Sequence, residues 1–265
     1  MEDWMLNQGS SLRLGIFFAL FLSLAIWEIW KPDHKPSVER KNRWVSNIAL
    51  VIFNTILIRI LFPVTALVFA ELVTDNQWGI LNILNLSYGM KIILGIILLD
   101  FIIYIQHILF HSLPLLWKFH RMHHADLELD VTSGTRFHPI EMIISMGIKF
   151  LAIFLLGISP VVVLLFEIIL NGMAMFNHSN IYIPKNMELF IRLLFVTPSM
   201  HRIHHSIRID EYNTNYGFNL SIWDRIFGTY KNLSQKNLTL GLPIYRDLKY
   251  SRLEWMMAIP FVEEK

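Results

Sequence analysis

Ten of the chain's 11 histidines fall between positions 107 and 205, and eight of them form three short motifs. These are His107-x3-His111, His120-x2-His123-His124 and His201-x2-His204-His205. A neutral imidazole is the commonest metal-binding side chain near pH 7. On a helix, positions i, i+3 and i+4 share one face, with Cβ atoms about 5–6 Å apart. Each motif can therefore aim two or three ring nitrogens at one point. A lone histidine is more often a core or surface residue, but three clusters at ligand spacing read as a metal site. The ninth and tenth histidines, His138 and His178, lie between the second and third motifs.

The chain contains no cysteine. That excludes disulfides, iron–sulfur clusters and thiolate ligands, and leaves a donor set suited to iron, zinc, copper or nickel rather than calcium or magnesium. A catalytic zinc takes about three protein ligands and a water, so ten imidazoles exceed the needs of one ion. Two ions with a position left open fit the count. A hydrolytic pair would bring carboxylates at ligand spacing, and none is evident. Oxygen activation by a pair of irons beside a lipid-filled cavity fits better. Asp100, seven residues before His107, is placed on the same helical face to accept a ring N–H as an outer partner. Glu128, Glu141, Asp210 and Asp224 are further candidates for that role. The plainer reading of Asp100 is a hydrogen-bonded polar residue inside a bundle, yet acids within the membrane are costly enough to favour function.

The elements that must position these residues are apolar. The chain is 265 residues long and 54% hydrophobic, with mean hydropathy +0.45, above the roughly 45–50% apolar content of soluble domains. Its net charge of +2 carries no nucleic-acid footprint. Leu12 to Trp30 is long enough to cross a bilayer. It lacks the basic start and small-residue site of a cleaved signal and is expected to remain as a membrane helix. The connector at 31–43 is rich in Lys and Arg, and His34 within it reads as a solvated loop residue. Trp44 to Val73 is a second apolar run, interrupted by Asn54, Arg59 and Pro63, the last expected to kink or break the helix. Met90 to Ser112 is a third span and ends on the first histidine pair. Met142 to Phe176 folds back at Gly157-Ile-Ser-Pro160, as a full or re-entrant hairpin. By the positive-inside rule the 31–43 connector is cytoplasmic, which gathers all ten histidines on the cytoplasmic face. The expected fold is all-α: a polytopic membrane helical bundle of about four to five spans, with a cytosolic helical cap holding a dinuclear histidine site. Three regions follow: membrane helices at 1–95, a catalytic region at 96–230, and a C-terminal cytosolic tail at 231–265.

With their flanks, the three motifs resemble the histidine boxes of the fatty acid hydroxylase superfamily, the sterol desaturase-like membrane oxygenases. The flanks are the Asp100/Tyr104 lead-in, Leu116-Trp-Lys-Phe-His120, Arg136-Phe-His-Pro-Ile-Glu141, Asn177-His-Ser-Asn180, Thr197-Pro-Ser-Met-His201, Asn215-Tyr-Gly217 and Trp223-Asp-Arg-Ile-Phe-Gly228-Thr. One departure is Ile108, where many relatives carry arginine. The resemblance implies two iron ions held by the box histidines, with zinc able to occupy the sites after overproduction. It adds His178 as a ligand from its Asn-His-Ser-Asn setting. It adds His138 too, although His138 could instead organise the helix opened by Pro139. Asp100 and Tyr104 become candidate catalytic residues. The implied activity is O2-dependent hydroxylation or desaturation of a membrane lipid, the lipid being a sterol, fatty acyl chain or ether lipid. No haem, flavin or nicotinamide motif is present, so electrons would come from a separate donor protein. That donor would dock on the cap near Arg192, Arg202, Arg208, Arg225, Lys231 and Lys236, residues that could equally meet solvent or anionic headgroups. A lipid-aldehyde lyase on the same scaffold and a non-enzymatic membrane metal-binding protein are the alternatives.

Overall fold

A computed structural model describes residues 8–232 and 238–262. Its helices are α1 (Gly9–Trp30), α2 (Arg40–Leu61), α3 (Ala66–Asp75), α4 (Ile80–Ile83), α5 (Tyr88–Ser112), α6 (Pro114–His124), α7 (Pro139–Leu156), α8 (Pro160–His178), α9 (Lys185–Ile191), α10 (Pro198–His204), α11 (Ile209–Tyr212), α12 (Ile222–Ile226) and α13 (Leu253–Ala258). No strand forms among the described residues beyond three isolated bridges. The fold is all-α, as its apolar runs require.

Five segments are long and apolar enough to cross a membrane: Ser11–Trp30, Arg43–Ile83, Tyr88–Ser112, Pro139–Leu156 and Pro160–His178. The chain is a multi-pass membrane protein. Pro63 breaks the second segment outright. α2 stops at Leu61, and α3 restarts behind the Thr65 side chain, which accepts from the Val68 N–H. A proline there can supply no N–H to continue the ladder. Arg59 remains on the exposed face of α2, where a long side chain can reach toward an interface.

α7 and α8 form the expected hairpin. Gly157 ends α7 at φ 73° and Pro160 opens α8 at its first turn, the residue types that favour a left-handed stop and a helical start. The turn is also tight in space, because a Cβ on Gly79 would fall 2.1 Å from the Gly157 nitrogen. The two helices have 18 and 19 residues, or roughly 27–29 Å at 1.5 Å per residue. That nearly matches a hydrocarbon core of about 30 Å. They are longer than the apolar run alone indicates, because Pro139, Ile140, Asn177 and His178 are helical too. Both open ends of the hairpin thus carry histidines.

α8 is the central helix. Of its span window 56% is buried, against 17% for the first two spans, so those two expose most of their surface to lipid. A core of Ala70, Val73, Leu99, Ile153, Val162 and Phe166 joins α3, α5, α7 and α8. A second core closes the histidine end, where Leu242, Tyr245, Tyr250, Met256 and Ile259 pack on Leu50, Met122 and Ala125. Residues 240–259 of the C-terminal segment fold back onto α2 and α6. Arg121 donates to the Ile259 carbonyl and Arg136 to that of Tyr250.

Candidate metal centre

Two helices supply most of the centre. Pro114 begins α6, and His123 and His124 fall on its last turn with His120 just before it. α10 begins at Pro198 behind the Thr197 cap and carries His201 and His204, with His205 as its C-cap. α5 adds His107 and His111, and α8 adds His178. Nine imidazoles converge in two groups. His107, His111, His120, His124 and His204 form one, and His123, His178, His201 and His205 the other, with each group's ligand atoms within 4.8 Å of one another.

The ring nitrogens are prepared to face an ion. Nδ1–H donates to a carbonyl from His107 to Tyr216 (2.8 Å), from His123 to Arg136 (3.2 Å), from His178 to Ala174 (2.7 Å) and from His204 to Thr214 (2.7 Å). His120 Nδ1–H donates to Glu141 Oε1 at 2.7 Å, and His111 Nδ1 lies 3.4 Å from Asn213 Oδ1. A carbonyl or carboxylate can only accept, so each of these rings holds its proton on Nδ1 and turns the Nε2 lone pair inward. The inward atoms have no ordinary partners. Nε2 of His107, His111, His120, His124 and His204 are all buried without a hydrogen bond, a costly state for a polar atom. In the second group the Nε2 atoms stand 3.0–3.2 Å apart along His123, His178, His201 and His205. Metal–nitrogen bonds of about 2.1 Å at tetrahedral to octahedral angles leave ligand atoms about 3.0–3.4 Å apart. The residues present fit a pair of metal ions.

Burial first, then the neighbouring imidazoles, holds His123, His124, His201 and His205 well below their ordinary pKa of 6.5. Burial also brings His204 down to about 3, despite its bond to the Thr214 carbonyl. The rings are neutral at pH 7, as ligands must be.

His138 lies outside both groups. It caps α7, its Nδ1 accepting from the Ile140 N–H at 3.2 Å, and so takes the helix-organising place. Asp100 does not meet His107. Seven residues of helix separate the two by about 10.5 Å of rise, and Asp100 instead accepts from the Asn219 and Leu220 N–H groups and from Trp223 Nε1. Tyr104 shares a 2.9 Å hydrogen bond with Thr229 Oγ1. Both fasten the cap to α5. Of the other acids, Glu141 partners the ring of a converging histidine, and Glu128 that of His34. Asp210 pairs with Lys231, and Asp224 holds the Tyr216 and Gly217 N–H groups.

His34 is a half-exposed loop residue, but its ring is engaged rather than free. Its Nε2–H donates to Glu128 Oε1 at 2.6 Å, and Nδ1 accepts from Arg202 at 2.9 Å. The connector is thereby tied to the segments after His124 and around His201. The basic residues of the cap are likewise engaged within the chain. Arg192 pairs with Glu188, Arg202 with Asp33, and Arg208 and Lys231 with Asp210, while Arg225 lies over the Tyr230 ring. Lys236 lies outside the described residues.

Two supports escape local sequence reading. Arg43 is buried and pairs with Asp126 and Asp130, while Ser133 bridges to Asp126. Burial opposes ionisation of Asp126, but the Arg43 and Arg136 guanidiniums outweigh it and hold its pKa at about 2. Glu28, fully buried at the end of α1, accepts from the Val131 and Asn180 N–H groups. The signal for both was a charge inside or beside an apolar run.

The fatty acid hydroxylase family model matches residues 92–229, the stretch that carries all nine converging histidines. The chain belongs to the fatty acid hydroxylase family. Ornithine lipid hydroxylase OlsE of Rhizobium tropici is 34% identical over 144 residues, covering 54% of this chain and 43% of that protein. Cholesterol 25-hydroxylase of Homo sapiens is 24% identical over 178 residues, 65% of this chain and 62% of that protein. Alkylglycerol monooxygenase of Homo sapiens is 28% identical over 138 residues, 52% of this chain and 30% of that protein. The chain thus spans 30–62% of the length of these family members. No solved structure matches it.

Proposed function

We propose that this chain is a membrane-bound lipid hydroxylase that uses O2 and a pair of irons, with two electrons from a separate donor. The observation that carries the reading is the division of nine imidazoles, eight buried and His111 half-buried, into groups of five and four. We assign His107, His111, His120, His124 and His204 to one ion and His123, His178, His201 and His205 to the other. When bound, the irons supply the redox chemistry that delivers one oxygen atom of O2 to a lipid C–H bond and the other to water.

The chain's own residues do the rest. Carbonyls of Ala174, Arg136, Thr214 and Tyr216 fix the ring tautomers, and Glu141 adds a negative charge beside His120. Burial of the rings keeps water from the centre and keeps the lone pairs free of protons. The relatives named as acting on an ornithine lipid, cholesterol or an alkylglycerol support a lipid substrate. The basic residues of the 31–43 connector support a cytoplasmic side for the cap and centre by the positive-inside rule.

The four-histidine group fits a second reading, because a closed four-ligand site is the mark of a structural zinc. Reconstitution with iron in lipid vesicles, a reductant and 18O2 separates the two. The proposal expects 18O in a lipid hydroxyl group and oxygen uptake lost in His123→Ala. Tight zinc that iron cannot replace, with no oxygen uptake from several donors, would establish the structural reading instead.

A further inference from the structure

We propose that the outer surface of α9, the turn after it and α12 is embedded among lipid acyl chains, making the cap a membrane-inserted collar. The first observation is an inverted polarity. In the segment 186–195 the charged residues face inward: Glu188 is 9% and Arg192 4% exposed, and they pair with each other. Glu188 also accepts from the Thr197 and Ser199 hydroxyls. The outward residues are Phe190 at 76%, Leu193 at 64% and Met187 at 57% exposure. α12 is similar in part: Asp224 is fully buried and Arg225 half-buried over the Tyr230 ring, while Ile226 and Phe227 are at 60% and 52% exposure. A surface facing water keeps its charges outside. Charges inside and large apolar side chains outside is the pattern of a surface solvated by lipid.

The two patches are one surface. Phe195 bridges Leu220, the Ser221 N–H donates to the Leu194 carbonyl at 2.9 Å, and that of Val196 to Asn219 at 3.0 Å. The surface is also continuous with a candidate span. Phe101 of α5 packs against Trp223 at 4.9 Å and Phe227 at 5.7 Å between ring centroids. Asp100 binds the Leu220 N–H and Trp223 Nε1. Asp100 lies twelve residues before the end of α5 at Ser112, about 18 Å along the axis. In a hydrocarbon core of about 30 Å, contact at that level sets α12 beside the middle of a lipid-crossing helix. Continuity with the span favours lipid over a second copy of the chain as the occupant.

The absence of cysteine permits a direct test. Phe190→Cys, Leu193→Cys and Ile226→Cys would each be spin-labelled and reconstituted in phosphatidylcholine vesicles. Ile60→Cys, on the lipid-facing side of α2, and Asp247→Cys, an exposed acid outside the patch, are the references. Collision rates with O2 and with a water-soluble nickel chelate are then compared. The expected result is that the three labels match the Ile60 reference, preferring O2, with the order reversed at Asp247. Free collision with the nickel chelate at the three positions would overturn the proposal. So would spin–spin broadening between copies, which would assign the surface to a second chain. Three positions on two elements keep the test intact if one variant fails to fold, and the readout depends on neither metal nor activity.

Discussion

Glu141→Ala removes one contact and is expected to weaken one ion. His120 and Glu141 are each 3% exposed, and the ring N–H donates to Oε1 at 2.7 Å. Truncation leaves a buried donor without an acceptor, a loss of about 1–3 kcal/mol. It also frees the His120 ring to turn or change tautomer. Loss of such an outer partner lowers metal affinity about 10–100-fold, or roughly 1.4–2.8 kcal/mol. Only the five-histidine group contains His120, so the second ion should hold. Glu141→Gln keeps an acceptor and should lie near the small end of that range. The assay is chelator competition on purified protein, with metal per chain followed by elemental analysis and folding by elution volume. The parent should release its two ions over one range, and Glu141→Ala should release one early. Unchanged release of both ions, or equal weakening of both in a folded protein, would refute the assignment of Glu141 to His120 and of His120 to one ion.

Three further outcomes follow from the supports. Arg43→Met removes the ion-pair partner of the buried Asp130 and leaves Asp126 with Arg136 alone, 3.9 Å away; breaking a buried pair this way costs about 3–5 kcal/mol. Its thermal midpoint in detergent should fall sharply, and an unchanged midpoint would contradict the role given to the network. His138→Ala should keep the full metal content while losing a helix cap worth about 1 kcal/mol, and loss of an ion would return His138 to the ligand set. Acid should loosen the metal-free cap. His123, His124, His201 and His205 titrate well below 6.5 when folded, and His204 at about 3. The unfolded chain therefore binds more protons between these values. Stability is fully present above 6.5 and falls as the pH is lowered through that window. A denaturation midpoint flat between pH 7 and pH 4 would contradict neutral buried rings.

What the sequence made legible was local. Within each box histidines lie three or four residues apart on a helix, and a helix turns that spacing into convergence without help from the rest of the chain. Pro63 and Gly157 act on their own backbone, so the broken second span and the hairpin turn were readable as well. The ring partners were not, because most are backbone carbonyls of Tyr216, Thr214, Arg136 and Ala174, which no side-chain pattern marks. Asp100 was singled out correctly as a buried acid and given the wrong partner, since seven residues of helix put His107 beyond its reach. His34 and Glu128 meet across 94 positions, a contact set by how the connector folds back rather than by either neighbourhood. The basic cap residues looked free in sequence for a similar reason: Glu188, Asp33 and Asp210 reach them through the fold.

The central claim is a two-ion centre built from separate groups of five and four histidines. The most direct test is the metal content of gently purified protein beside His204→Ala, His123→Ala and the double variant. The account predicts two ions per chain in the parent, with the weaker binding confined to one ion in each single variant and both ions lost in the double. One ion per chain in the parent, or two ions that survive the double substitution, would contradict it.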